Sequence, residues 1–224
     1  ALGVPVNAEI LQMIVDFMNQ YHVSAYDETT GQGLVRHVLI RYGFKTGEIM
    51  VCLVINGDNL PKSEKLVDKL IQIPGMTSIT YSVNQENTNV IMGKDIHVLW
   101  GQSYITDYIG DIKYQISPLS FYQVNPKQTV KLYEKALEYA DLSGNEIVWD
   151  LYCGIGTIGM TASSKAKEVI GVELNKDAVK DAIANAKANG IKNVRFYNKD
   201  AGDFIVSMAQ QNVKCDVIFM DPPR

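Results

Sequence analysis

Residues 147–159 read Ile147-Val148-Trp149-Asp150-Leu151-Tyr152-Cys153-Gly154-Ile155-Gly156-Thr157-Ile158-Gly159. The apolar start predicts a strand over 147–150, the glycines a tight turn, and the residues after them a helix over 157–165. Upstream, Asn125 is placed to cap a helix opened by Pro126, with Val130, Tyr133, Leu137 and Ala140 along one face. Downstream, β-rich runs at 169–172, 194–198 and 217–220 are separated by helical stretches at 176–189, which Gly190 stops, and at 203–211. Four β-runs separated by helices predict an α/β fold with a parallel, doubly wound, Rossmann-like sheet.

The residues before this region pattern differently. Ile10, Leu11, Ile14, Val15 and Met18 recur at helical spacing within 8–20. Runs at 34–42 and 49–55 read as a hairpin with a longer loop. A helix follows with Pro61 in its first turn and Pro74-Gly75 at its end, and shorter strands are expected at 78–83, 90–92 and 96–100. Strands and helices without strict alternation predict a smaller α+β domain. Residues 1–116 hold 8 basic and 12 acidic side chains, whereas 117–224 hold 13 of each. The pattern changes at the same place, so domains of 1–116 and 117–224 are expected.

Composition narrows the function classes. The chain has 224 residues, of which 46% are hydrophobic and 21% charged, which excludes a disordered chain. Its net charge of −4 shows no strongly basic nucleic-acid surface in bulk. No run reaches transmembrane length, so no membrane partner is expected. Cys52, Cys153 and Cys215 lack any paired spacing, so neither a disulfide framework nor a metal site is expected. The reading is a reduced, cytoplasmic protein, with a monomer expected.

Gly154, Gly156 and Gly159 satisfy G-x-G-x-x-G, and Glu173 lies 19 residues after Gly154, where a carboxylate can accept bonds from ribose hydroxyls. Taken alone, this spacing is that of a dinucleotide site. Asp150 argues otherwise: a carboxylate at the end of the first strand suits the cationic methionine end of S-adenosylmethionine and would repel a pyrophosphate. Asp200, after the third strand, could meet the adenine amino group or simply cap the helix that follows. Asp221, in Asp221-Pro222-Pro223 after the fourth strand, lies at the carboxyl edge where such sheets bind ligands. Asp221-Pro222-Pro223 also resembles the motif of methyltransferases acting on exocyclic amines of bases, although Arg224 departs from that pattern. Amine methylation is therefore the alternative activity.

Ser120-Phe121-Tyr122-Gln123-Val124-Asn125, then Asp150 through Thr157, Gly171-Val172-Glu173 and Asp221-Pro222-Pro223-Arg224 follow one another in order. Together they resemble the RNA (uracil-5-)-methyltransferase family, more loosely over 1–116 through Gly33-Leu34-Val35-Arg36-His37-Val38. The resemblance implies S-adenosylmethionine as methyl donor, with S-adenosylhomocysteine as product, and uridine C5 in RNA as target, ribosomal RNA being favoured over tRNA. It places Gln123, Tyr152, Glu173 and Asp221 at cofactor-holding positions; Gly154 belongs to the loop, and Thr157 stands where some relatives have Asn.

In that family a thiolate adds to uracil C6 so that C5 becomes nucleophilic, and a base later removes the C5 proton. The resemblance puts both groups downstream of Asp221-Pro222-Pro223, so no catalytic residue is assigned within these 224 residues. The chain is expected to be an excised piece that binds the cofactor but does not complete methyl transfer. Arg36, His37, Arg41, Lys127 and Lys131 are candidate phosphate contacts.

Overall fold

A computed structural model describes residues 3–88, 90–123 and 125–222. The chain divides into two compact units, one ending at Asp107 and the other beginning at Tyr108.

The first unit is α+β. Helix α1 (Val6–Gln20) buries Ile10, Ile14 and Phe17, whereas Leu11 and Val15 are 44% and 48% exposed. The buried stripe is thus rotated toward Phe17 from the expected face. Strands β1 (Val35–Tyr42) and β2 (Ile49–Ile55) form the expected antiparallel hairpin. Every residue of β2 is buried, which accounts for its unbroken apolar run. Helix α2 (Ser63–Leu70) starts two residues after Pro61 rather than around it, from a left-handed Lys62. It carries the chain to β3 (Met76–Val83), which lies parallel to β2, and β4 (Ile96–Gly101) closes the order β1-β2-β3-β4. Ile49, Val51, Leu53 and Ile55 pack with α1 and α2 residues in one core.

No strand forms at 90–92. The Asn84 side-chain amide donates to the Val90 and Ile91 carbonyls at 2.7 and 3.0 Å, holding these exposed apolar residues in a loop.

Two strands escaped the sequence reading: β5 (Ile105–Ile109) and β6 (Ile112–Ile116). They also explain why the division falls nine residues before the expected 116/117 boundary. Asp107 accepts from the Phe44 and Lys45 amides at 3.0 and 2.9 Å, and Glu48 accepts from the Thr106 amide at 2.6 Å. These bonds hold the start of β5 in the first unit.

The second unit is a parallel α/β sheet. Helix α3 (Pro126–Ala140) is capped by Asn125, whose side chain accepts from the Gln128 amide at 3.2 Å. Strand β7 (Ile147–Leu151) leads through the glycine loop into the short α4 (Thr157–Ala162) and a 3-10 turn, Ser163–Lys165. Strand β8 (Glu168–Glu173), helix α5 (Lys176–Ala188), strand β9 (Val194–Asn198), helix α6 (Ala201–Gln210) and strand β10 (Val217–Met220) follow.

The sheet order is β10-β7-β8-β9, all parallel. Trp149, Leu151 and Val172 pack against Phe204 of α6 on one face. On the other, the closeness of Gly159 to Asp150 and Val169 seats α4 against the strands. The winding reverses between β7 and β10. The carboxyl ends of those two strands therefore flank a topological switch point, where open α/β sheets form a crevice.

Candidate cofactor site

The switch point holds a cleft of about 290 Å³. Segment 121–123, α3, the glycine loop and the end of β10 line it. The loop is sharply wound: Tyr152, Gly154 and Gly156 have φ of +63°, +55° and +80°. A left-handed conformation is open to glycine but costs about 1–2 kcal/mol at a residue with a Cβ. Tyr152 nevertheless adopts it, at 38% exposure, and lines the cleft.

Asp150, 2% exposed, accepts from the Gly159 amide at 2.9 Å. Gly159 is needed for this close approach, because a Cβ there would stand 2.7 Å from Asp150 Oδ2. Burial pushes the Asp150 carboxyl up to about 7; the Gly159 N–H opposes the shift, and the nearby Asp221 and Glu173 charges add to it. Burial also pushes the neighbouring Cys153 thiol up, and Asp150 and Glu173 push it further. The described polar lining is thus acidic and suited to a cationic ligand.

Six of the residues read from sequence converge here: Gln123, Asp150, Tyr152, Gly154, Thr157 and Asp221 all line the cleft. Glu173 does not line it. Its Oε2 accepts from the Gly154 amide at 3.0 Å and its Oε1 from the Asn175 amide at 2.7 Å, so it braces the glycine loop from the end of β8. Asp200 is the helix cap that the sequence left open as an alternative. Its Oδ1 accepts from Gly202 and Asp203 amides at 2.8 and 3.1 Å, and it does not line the cleft. Val124, Pro223 and Arg224 lie outside the described residues.

Phe121, Leu132, Tyr133, Phe219 and Met220 line the cleft without having been read as site residues. Tyr133 sits on the expected inner face of α3, but nothing in that spacing distinguishes a cleft wall from core. Arg36 is corrected. Its side chain is 2% exposed, it donates to the Asn84 and Glu86 carbonyls at 2.9 Å each, and it lies 4.5 Å from the Tyr26 ring. It therefore serves the fold, whereas Lys127 and Lys131 are exposed on α3. Among the described residues no cluster of three or more metal-ligating side chains occurs, and no helix is long and apolar enough to cross a membrane.

The chain has a Rossmann-like methyltransferase fold, shown by its likeness to a solved structure. The solved structure of the Pyrococcus abyssi tRNA (uracil-54, C5)-methyltransferase in complex with S-adenosyl-L-homocysteine matches it with a TM-score of 0.77 and 30% identity. The match covers 96% of this chain and 50% of that one. An uncharacterized RNA methyltransferase of Clostridium tetani is 45% identical over 217 residues, 96% of this chain and 47% of the relative. Another, of Halalkalibacterium halodurans, is 46% identical over 219 residues, 97% of this chain and 48% of the relative. The family described as "Conserved hypothetical protein 95" matches residues 132–224. The chain spans about half the length of the curated relatives it matches.

Proposed function

We propose that the switch-point cleft binds S-adenosylmethionine, and that the whole protein methylates RNA at uridine C5. The observation that carries this reading is the convergence of Gln123, Tyr152, Gly154, Thr157 and Asp221 on one acidic cleft. When bound, the cofactor supplies an electrophilic methyl group on a positively charged sulfur. Asp150 and Asp221 would supply negative charge to hold that sulfonium, and the Tyr152 ring would form a wall of its pocket. Gln123 offers both a donor and an acceptor. Glu173 stands outside the cleft lining and braces the Gly154 amide, but each of its oxygens accepts only one backbone bond. It therefore keeps lone pairs and is the acceptor proposed for ribose hydroxyls that reach past the glycine loop.

Methylation at C5 requires a thiolate that adds to C6. Cys52 is fully buried in β2, with its thiol pushed up to about 11 by burial. Cys215 lies before the amino end of β10, opposite the cleft edge of the sheet. Cys153 lines the cleft, but burial and two carboxylates keep it a thiol. The reading therefore assigns the nucleophile to none of these three residues. The Pyrococcus abyssi relative, named for uracil C5, supports the choice of atom.

The test is nucleoside analysis of ribosomal RNA and tRNA after incubation with the whole protein and labelled S-adenosylmethionine. The reading expects label in 5-methyluridine, in ribosomal RNA first. Label on an exocyclic amine of adenine or cytosine would replace it with the amine-methylating alternative.

A further inference from the structure

Helix α5 and its C-cap residue present three polar side chains at four-residue spacing, Asp181 and Asn185 in the helix and Asn189 at its cap. Each meets the segment that runs from β6 toward the cleft. Asn189 accepts from the Lys113 amide at 2.9 Å and donates to the Lys113 carbonyl at 2.6 Å. Asn185, fully buried, does the same at Gln115, at 2.7 and 3.3 Å. A primary amide carries one carbonyl and one NH₂, so each Asn pairs with a strand residue as a neighbouring strand's peptide would. Four helical residues advance about 6 Å and two strand residues about 6.6 Å, so the helix keeps step with alternate residues of β6.

The third position breaks this pattern. Asp181 has no donor, and its Oδ2 accepts from the Ser117 hydroxyl at 3.0 Å and the Ser120 hydroxyl at 2.7 Å. Those serines are themselves joined, Ser117 N donating to Ser120 Oγ at 3.1 Å. Ser120 immediately precedes Phe121, Tyr122 and Gln123, which line the cleft. Phe121 is 72% exposed and so gains little anchorage from burial.

We infer that Asp181 is a positioning residue for the cofactor cleft: its carboxylate grips Ser117 and Ser120 and thereby sets the segment that delivers Gln123. The inference rests on the cofactor reading above. Asp181 itself does not line the cleft, so its effect on binding passes entirely through the 117–123 segment. One carboxylate oxygen accepts both bonds, and the carbonyl oxygen of an asparagine can replace it.

The test measures S-adenosylhomocysteine affinity by calorimetry and amide exchange across 117–123 by mass spectrometry, in the wild-type chain and in Asp181→Ala, Asp181→Asn and Ser117→Ala/Ser120→Ala. The inference expects Asp181→Ala and the double serine variant each to weaken binding about tenfold and to speed exchange in 117–123 but not in β7 or α4. Asp181→Asn should recover most of the affinity. Wild-type exchange in both disrupted variants, or faster exchange with affinity within twofold of wild type, would overturn the inference. If Asp181→Ala does not fold, the double serine variant decides alone. If the wild-type chain binds no S-adenosylhomocysteine, the cofactor reading fails, and the exchange data still decide whether Asp181 holds the segment.

Discussion

The Tyr133 hydroxyl lies 2.7 Å from Thr157 Oγ1. Thr157 is the first residue of α4, and its carbonyl also accepts from the Tyr114 hydroxyl at 3.1 Å. Two tyrosines, from α3 and β6, thus hold the point at which the glycine loop becomes a helix. Tyr133→Phe should remove one of these bonds while keeping the ring in the cleft wall. The expected outcome is a stability loss of about 1 kcal/mol by denaturant titration, with S-adenosylhomocysteine affinity reduced several-fold. Unchanged affinity would show that the hydroxyl does not set the loop.

Gly159 allows α4 to approach β7. Its missing Cβ would lie 2.7 Å from Asp150 Oδ2 and 3.2 Å from Val169 Cγ1, both in the packed sheet. Gly159→Ala should therefore destabilise the chain by about 1–3 kcal/mol, read as a lowered denaturant midpoint at unchanged slope.

The regular half of the fold was legible because each cue repeats locally. The glycine loop, the Asn125 cap and the strand-helix alternation each lie within a dozen residues, and the strands at 194–198 and 217–220 match β9 and β10. What was not legible depends on partners distant in sequence. The β5–β6 hairpin consists of five-residue strands around Gly110-Asp111. Ile112–Ile116 alternates apolar and polar residues but is too short to stand out alone, Ile105–Ile109 does not alternate, and the pair is held by bonds to residues 44–48 and 185–189. Residues 90–92 have strand composition but are tied into a loop by Asn84. Tyr133 was visible as a helix-face residue, yet only the folded sheet shows that this face borders a cleft.

Asp200 separates capping from cofactor contact. Its two backbone bonds satisfy the first turn of α6, so Asp200→Ala should cost about 1 kcal/mol of stability. Asp200→Ser keeps a capping oxygen and should retain both stability and S-adenosylhomocysteine affinity. A selective loss of affinity in the serine variant would return Asp200 to the adenine contact expected from sequence.

The buried Asp150 carboxyl links proton binding to stability. Its value is raised from 3.8 to about 7 in the folded chain, so the folded state holds a proton that the unfolded state has released. Stability from this group is present below about pH 4, falls as pH rises toward 7, and is level above that. Thermal unfolding of the ligand-free chain between pH 5 and 7 should show this decline, and Asp150→Asn should remove it while keeping an acceptor for Gly159. A cationic ligand favours the ionised carboxylate, so S-adenosylmethionine affinity should rise with pH over the same window. An identical pH slope in the wild type and Asp150→Asn would contradict the assignment.

The central claim is that the cleft between β7 and β10 is an S-adenosylmethionine site. Calorimetric titration of the 224-residue chain with S-adenosylhomocysteine, and separately with NADH, tests it most directly. The account predicts saturable one-to-one binding of S-adenosylhomocysteine, weakened by Asp221→Ala, and no binding of NADH. Tighter binding of NADH, or S-adenosylhomocysteine binding that Asp221→Ala leaves untouched, would contradict it.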